Sequence, residues 1–349
     1  MSDETNTDVL IVGAGPIGIE LAVALKSAAI DYRQLDASQI GSTIQWFAPQ
    51  TQFFSSPERI AIAGVPLQTV DQTKATREEY LNYLRSVILQ FKLEIDTFER
   101  VTRIEKSDGS FALTSNRDGR LKLWRTGKVV LAIGDMHRPR LIGVPGETLA
   151  RVSHYLGDPH GYFRRKVLIV GGKNSAVEAA IRCARVGADV TLSYRGAEFD
   201  PNRVKFWLLP EINAMVRDGR MKFLPNTSVR EIRTDHVLLD EIGQEAGLPI
   251  EVEADCVLLL TGYEQDTTLF EATGITLEGE QRRPHFDPQT METNVPGIFV
   301  AGTAAAGTQF GGVKEFIETS HIHVPRILAA LTGGSPPTAL APAYELPES

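Results

Sequence analysis

Residues 8–38 read DVLIVGAGPIGIELAVALKSAAIDYRQLDAS. The apolar run 9–12 suits a strand buried on both faces of a parallel sheet. Gly13 opens a tight turn, and the helix that follows carries Leu21, Ala22 and Leu25 on one face. In the spacing Gly13-x-Gly15-x-x-Gly18 each glycine has its own task. Gly13 permits the turn, Gly15 lets the backbone approach a pyrophosphate, and Gly18 lets the helix pack on the strand. The helix N-terminus then faces the phosphate charge. Asp36 ends the next strand, where a carboxylate accepts hydrogen bonds from the hydroxyls of an adenosine ribose. Ala14, Pro16, Ile17 and Ala37 complete this first candidate site.

Residues 166–196, KVLIVGGKNSAVEAAIRCARVGADVTLSYRG, repeat the pattern. Such a repeat is the main organisational fact of the chain. The turn here is Gly171-Gly172-Lys173-Asn174-Ser175-Ala176. Lysine replaces the second glycine and is expected to meet phosphate as a point charge. Alanine replaces the third, a change the template tolerates. The next strand ends in Ser193-Tyr194-Arg195, without an acid. Arg195 suits a 2′-phosphate, so this site is expected to take NADPH in preference to NADH. Two such units in one chain predict a bound flavin, FAD, in the first and a mobile nicotinamide in the second.

Between and beyond these units the chain is legible in outline. Residues 40–66 are rich in Gly, Pro, Ser and aromatics and predict a long functional loop. An amphipathic helix is predicted over 77–92, with Tyr80, Leu84, Val87, Ile88 and Phe91 on one face. Short strands follow from Leu93 to Leu123, broken by SDG and RDG turns. Buried strands are expected at KVVLAIG (128–134), ADCVLLLTGY (254–263) and TNVPGIFVAGT (293–303), and a closing helix at HVPRILAAL. The Pro-rich tail lacks periodicity. The predicted fold is α/β, with two Rossmann-like nucleotide-binding domains. An NAD(P)H-binding domain (138–264) is inserted in a discontinuous FAD-binding domain (1–137 and 265–349).

The 349 residues fit about two domains. The net charge of −8 argues against a nucleic-acid groove or a polybasic membrane anchor. No apolar run is long enough to span a bilayer, and the N-terminal MSDETNT lacks the basic and apolar regions of a signal peptide, so a cytoplasmic enzyme is expected. Neither metal nor nucleic acid is expected. The only cysteines, Cys183 and Cys256, sit in apolar runs and form no C-x-x-C pair. They read as buried hydrophobes.

GAGPIG, VVLAIG, VGGKNSAVEAA, VLLLTGY and TNVPGIFVAGT occur in the order seen in two-dinucleotide-fold flavoproteins of the thioredoxin reductase type, which the chain resembles over nearly its full length. Within that group it is similar to bacillithiol disulfide reductases, through GSTIQWFAPQTQFFSSPERIAIAGVP, GGKNSAVEAA with its lysine, the YRG after the next strand, and VPGETLARVSHY. The resemblance implies a homodimer. It also adds Ile44, Gln50, Val101, Ala132, Gly134, Gly302 and Thr303 to the FAD site, and Gly262 to the NADPH site. Two departures stand out. Ile17 occupies the position of the subgroup's redox cysteine and forms no thiolate, and Thr303 follows Gly302 where many relatives have aspartate. A helix over 313–318 is expected to aim its N-terminus at the flavin. His321 and His323 read as structural hydrogen-bond donors.

The chemistry expected is hydride transfer from NADPH to FAD, then reoxidation by a small-molecule or small-protein acceptor. The alternatives are direct reduction of a low-molecular-weight disulfide, electron transfer to ferredoxin or flavodoxin, and a non-catalytic FAD/NADPH redox sensor.

Overall fold

The computed structural model of the chain describes residues 4–107, 109–243, 247–310 and 314–337. Asp108 of the SDG turn and the tail beyond residue 337 therefore lie outside the described residues. The chain divides into two compact units. Of the described residues, the first takes those in Gln52–Arg138, those up to Gln45 and those from Tyr263 onward. The second takes Pro139–Gly262 together with the short piece Trp46–Thr51.

In the first unit the Glu4–Val12 strand runs parallel to both neighbours, Tyr32–Leu35 and Arg120–Leu131. The Arg120–Leu131 strand works in two halves. Its first half pairs antiparallel with Ser110–Arg117, and Val129–Leu131 pair in parallel with Ile298–Val300. That return of the distal chain to the central sheet makes the second unit an insertion. Helix Pro16–Ser27 starts with proline at its first turn, where the missing N–H costs nothing. It buries Ile17, Ile19, Leu21, Ala22, Val23 and Leu25. Each large apolar side chain so buried contributes roughly 1.5–3 kcal/mol.

Helix Arg77–Phe91 begins at a capping box. The Glu79 N–H donates to Thr76 Oγ1 at 3.2 Å, and the Thr76 N–H donates to Glu79 Oε2 at 2.8 Å. Tyr80, Tyr83, Leu84 and Val87 are its buried residues; Ile88 and Phe91, predicted for that face, are only half buried. The tyrosines hold the long loop. Tyr80 OH donates to the Ile60 carbonyl at 2.8 Å, and the Ile62 N–H donates to Tyr83 OH at 2.7 Å. The loop so fixed contains two single-turn helices, Ser42–Gln45 and Pro57–Ile60.

The second unit holds a parallel sheet in the order Lys222–Leu224, Asp189–Ser193, Lys166–Val170, Cys256–Leu259, Val152–Ser153. Helix Asn174–Arg185 buries Ala176, Val177, Ala179, Ala180, Ile181 and Cys183 against it. A three-stranded antiparallel sheet, Thr227–Ile232, His236–Glu241 and Ile250–Glu253, completes the unit.

Two expectations need correction. Residues 1–137 do not form one unbroken piece, because Trp46–Thr51 belongs with the second unit. There Arg182 donates from Nη1 to Thr51 Oγ1 at 2.8 Å and from Nη2 to the Pro49 carbonyl, and Trp46 rests edge-on against Tyr155. The helix expected over 313–318 is instead a single turn, Ile317–Ser320; Val313 lies outside the described residues. Phe316 is extended, and Gln309 Oε1 accepts the N–H groups of Lys314 at 2.6 Å and Glu315 at 3.0 Å. Backbone held this way does not enter a helix, and a four-residue turn has no macrodipole to aim. The closing helix, His323–Thr332, is as expected.

Candidate functional site

The first glycine turn is built as the spacing implies. Gly13 has φ +114°, and a Cβ there would lie 2.3 Å from the Ala132 carbonyl oxygen. A Cβ on Gly18 would lie 2.4 Å from the Gly13 carbonyl oxygen. Gly15 is different. Its φ is −77°, and a Cβ on it would meet nothing within 4 Å. Neither the backbone nor the packing demands glycine there, so the open space fits a ligand that approaches the chain closely, as a pyrophosphate does.

Asp36 stands at the end of the neighbouring strand. Its Oδ2 accepts the Ala14 N–H at 2.6 Å and its Oδ1 accepts the Ser38 N–H at 2.7 Å. Burial raises its carboxyl above the usual range, partly offset by those two N–H groups and by Arg100. The carboxylate is thus aimed by the turn itself and keeps lone pairs for ribose hydroxyls. Turn and carboxylate together fit the adenosine diphosphate half of FAD.

Ile17 is buried and lies against the last strand's turn: a Cβ on Gly302 would sit 3.4 Å from Ile17 Cβ. Ala132 and Gly134 follow the Arg120–Leu131 strand, and Thr303 follows Gly302, so the first unit brings these residues to one sheet end. Ile44 and Val101 are buried in the same unit. Ala37 follows Asp36 directly. Gln50, with φ +61°, lies in the piece that groups with the second unit.

The second turn is a variant with a different finish. Gly171 has φ +144°, and a Cβ there would lie 2.7 Å from the Leu260 carbonyl oxygen. Lys173 is extended, with φ −107°, so a side chain is admitted where Gly15 stands in the first turn. Gly172 is needed for another reason: a Cβ on it would lie 2.3 Å from the Tyr194 ring, and one on Gly196 would lie 2.6 Å from the same ring. Tyr194 is therefore wedged between two glycines, stacked at 8° on Phe199. Asn174 opens the helix and accepts the Lys205 N–H on Oδ1 at 2.8 Å, tying the following loop to the turn; Ser175 follows it. Gly262 has φ +105° and accepts the Arg140 N–H.

Sequence reading singled out Lys173 and Arg195 but missed two further cations. Burial, then Arg203, Arg140 and Arg195 in that order, hold the Lys173 ammonium below its ordinary pKa. Arg203 pairs with Asp200 at 3.1 Å, and Arg140 donates to the Thr261 carbonyl at 2.8 Å. The three arginines thus add positive charge around Lys173, a setting that suits a phosphate group. Arg203 shares a loop with Arg195, a cue available in the sequence; Arg140 comes from the far end of the insertion and left none.

Both cysteines are free and buried. Burial pushes the Cys183 thiol up to about 12 and raises that of Cys256. Thiols in that state are poor nucleophiles. Of the two histidines expected to be structural hydrogen-bond donors, His321 fits and His323 is an acceptor instead. His321 faces acceptors on both ring nitrogens, Glu20 Oε2 at 2.7 Å and the Arg59 carbonyl at 2.9 Å, an arrangement that favours the imidazolium. Burial opposes that charge, but Glu20 outweighs it and the pKa is raised. His323 accepts the Gly302 N–H on Nδ1 at 3.1 Å and is neutral; burial, then Arg326 and Arg283, push it down to about 4. No helix among the described residues is long and apolar enough to cross a membrane.

These features have counterparts in known proteins. A family model described as pyridine nucleotide-disulphide oxidoreductase matches residues 10–302. The bacilliredoxin reductase Bdr of Bacillus subtilis is 34% identical over 92% of this chain and 96% of its own length. A ferredoxin–NADP reductase of Ignicoccus hospitalis is 29% identical over 84% of this chain and 89% of its own. The structure of the bacillithiol disulfide reductase Bdr from Bacillus cereus superposes with a TM-score of 0.89 at 32% identity, covering 94% of this chain and 99% of that one. The chain belongs to the pyridine nucleotide-disulphide oxidoreductase family.

Proposed function

We propose that this oxidoreductase takes hydride from NADPH onto FAD and passes the electrons to an acceptor that meets the flavin directly, with no thiol of the enzyme between them. One observation carries the thiol-free part. The chain has two cysteines, both buried with raised pKa values, and Ile17 fills the first turn against Gly302. Bound FAD supplies the hydride chemistry. The first unit's residues hold it: the turn Gly13, Ala14, Gly15, Pro16, Ile17 and Gly18, with Asp36 on the ribose. In the second unit Gly171, Gly172, Asn174 and Ser175 form the pyrophosphate turn, and Lys173, Arg195, Arg203 and Arg140 neutralise the phosphates. Arg195 and Arg203 favour the 2′-phosphate of NADPH over NADH.

Without a relay the acceptor takes its electrons from the flavin itself. A small disulfide takes two electrons and two protons and leaves as two thiols. A ferredoxin takes one electron at a time at the flavin edge. The names of the relatives, bacillithiol disulfide reductase and ferredoxin–NADP reductase, point to one class each. The net charge of −8 disfavours an acidic carrier protein, so the small disulfide is preferred. The test is NADPH oxidation against a panel of low-molecular-weight disulfides, ferredoxins and flavodoxins, with the flavin spectrum recorded. Oxidation above the oxygen background with a disulfide supports the reading; stimulation by ferredoxin alone replaces the acceptor; no flavin reduction at all leaves a redox sensor. We further place the enzyme in the cytoplasm as a homodimer, which light scattering checks against the chain mass of 38.3 kDa.

A further inference from the structure

A half-buried acid, Asp135, stands at the carboxyl end of the first unit's sheet. The Arg120–Leu131 and Ile298–Val300 strands run side by side, with Leu131 paired to Val300. Both chains then turn through left-handed glycines, Gly134 at φ +76° and Gly302 at φ +68°. Asp135 follows one and Thr303 the other, and their side chains are hydrogen-bonded to each other. Gln309 Nε2 donates to Asp135 Oδ2 at 2.9 Å. Gln265, itself buried, fastens the two turns together by donating from Nε2 to the Gly134 carbonyl at 2.9 Å and the Ala304 carbonyl at 3.0 Å.

Among the described residues every group bonding Asp135 is neutral: Thr303, Gln309 and its own N–H. A carboxylate partly withdrawn from water and met by no cation keeps lone pairs that a ligand carrying donors can take up. The position is right for that, because open α/β sheets bind ligands beyond the carboxyl ends of their strands. It also adjoins the first glycine turn, since Gly302 lies against Ile17 and Gly13 against Ala132. A carboxylate repels phosphate, so the ligand part it faces must carry hydrogen-bond donors. FAD has such a part, the ribityl hydroxyls and the ring N–H of its flavin half.

We infer that Asp135, held by Thr303 and Gln309, is the acceptor that binds the ribityl–isoalloxazine half of FAD, complementing Asp36 on the adenosine half. The inference rests on the first unit being the FAD site. Its consequence is electrostatic: a negative charge beside the flavin opposes the negative charge gained on reduction and so lowers the reduction potential.

The test compares the full-length protein with D135N and T303V. Apoprotein is titrated with FAD by flavin fluorescence, and ADP is used as a competitor that shares only the adenosine–pyrophosphate half. D135N is expected to weaken FAD binding roughly tenfold, the loss of one charge-assisted hydrogen bond, while the ADP inhibition constant stays unchanged. Its reconstituted flavin is expected to show a raised midpoint potential in dye-equilibration titrations. T303V is expected to move both readouts the same way by less, and it carries the test if D135N does not fold. Unchanged FAD affinity and potential overturn the inference, as does an equal loss for FAD and ADP, which marks a structural role only. If wild-type apoprotein takes up neither FAD nor ADP, it is the assignment of the first unit that fails.

Discussion

The two glycine turns share a backbone and differ in what they leave open. In each, the first glycine has positive φ and lies under a neighbouring strand's carbonyl, Ala132 for Gly13 and Leu260 for Gly171. At the second position the turns part. Gly15 leaves an empty approach, whereas Lys173 brings a cation into a cluster of three arginines. The ends of the following strands differ in the same sense. Asp36 is bonded back to its own turn, while Tyr194 is clamped between Gly172 and Gly196 with Arg195 beside it. The first turn relies on close backbone approach and a carboxylate; the second relies on charge. That difference suits a cofactor retained through turnover in one unit and a nucleotide that comes and goes in the other.

The shared part of the comparison is broken most severely at the first glycine. G13A places a Cβ on a carbonyl oxygen at a φ that alanine avoids, and about 3–5 kcal/mol of stability should be lost, read as a large fall in melting temperature or as insoluble protein. G15V sharpens the contrast. With nothing within 4 Å of the new Cβ, the apoprotein should melt within about 1 kcal/mol of wild type. Its flavin content should nevertheless fall on the order of a hundredfold, about 2.7 kcal/mol.

Behind the first turn, neutral His323 supports the Gly302 N–H. The unfolded chain protonates this histidine below about pH 6.5, the folded protein only near 4. Its contribution is therefore full above the unfolded value, declines as pH falls and is gone below about 4, a span worth roughly 3 kcal/mol. H323Q, which keeps an acceptor without titrating, should flatten the fall in melting temperature across that window.

In the second turn, R195A should raise KM for NADPH roughly tenfold with KM for NADH unchanged, about 1.4 kcal/mol. Equal loss for both nucleotides would remove Arg195 from 2′-phosphate recognition. K173G restores the common motif and should produce the smallest change, a few-fold rise in KM for NADPH with stability nearly constant.

Much of this was legible because glycine patterns are local. Gly13, Gly18 and Gly171 sit where a turn or a packed helix admits no side chain, and the spacing alone shows it. Most charge partners were not legible, because tertiary folding assembles them; Arg203, in the same loop as Arg195, left a cue. Arg140 and Arg203 reach Lys173 from separate loops, and Glu20 meets His321 across nearly the whole length of the sequence. Trp46–Thr51 was misassigned for the same reason, since Arg182 and Tyr155, which hold it, lie far along the chain. The expected helix over 313–318 failed on a side-chain effect that periodicity does not register, the capture of two backbone N–H groups by Gln309.

The central claim is that electrons pass from NADPH to flavin and onward without an enzyme thiol. It is tested most directly by anaerobic titration of the purified flavoprotein with NADPH, monitored by flavin absorbance. Full bleaching is expected at one NADPH per flavin, with the same endpoint after the protein is treated with a thiol-blocking reagent. A flavin that stays oxidised, or a second equivalent consumed and then abolished by thiol blocking, would contradict it.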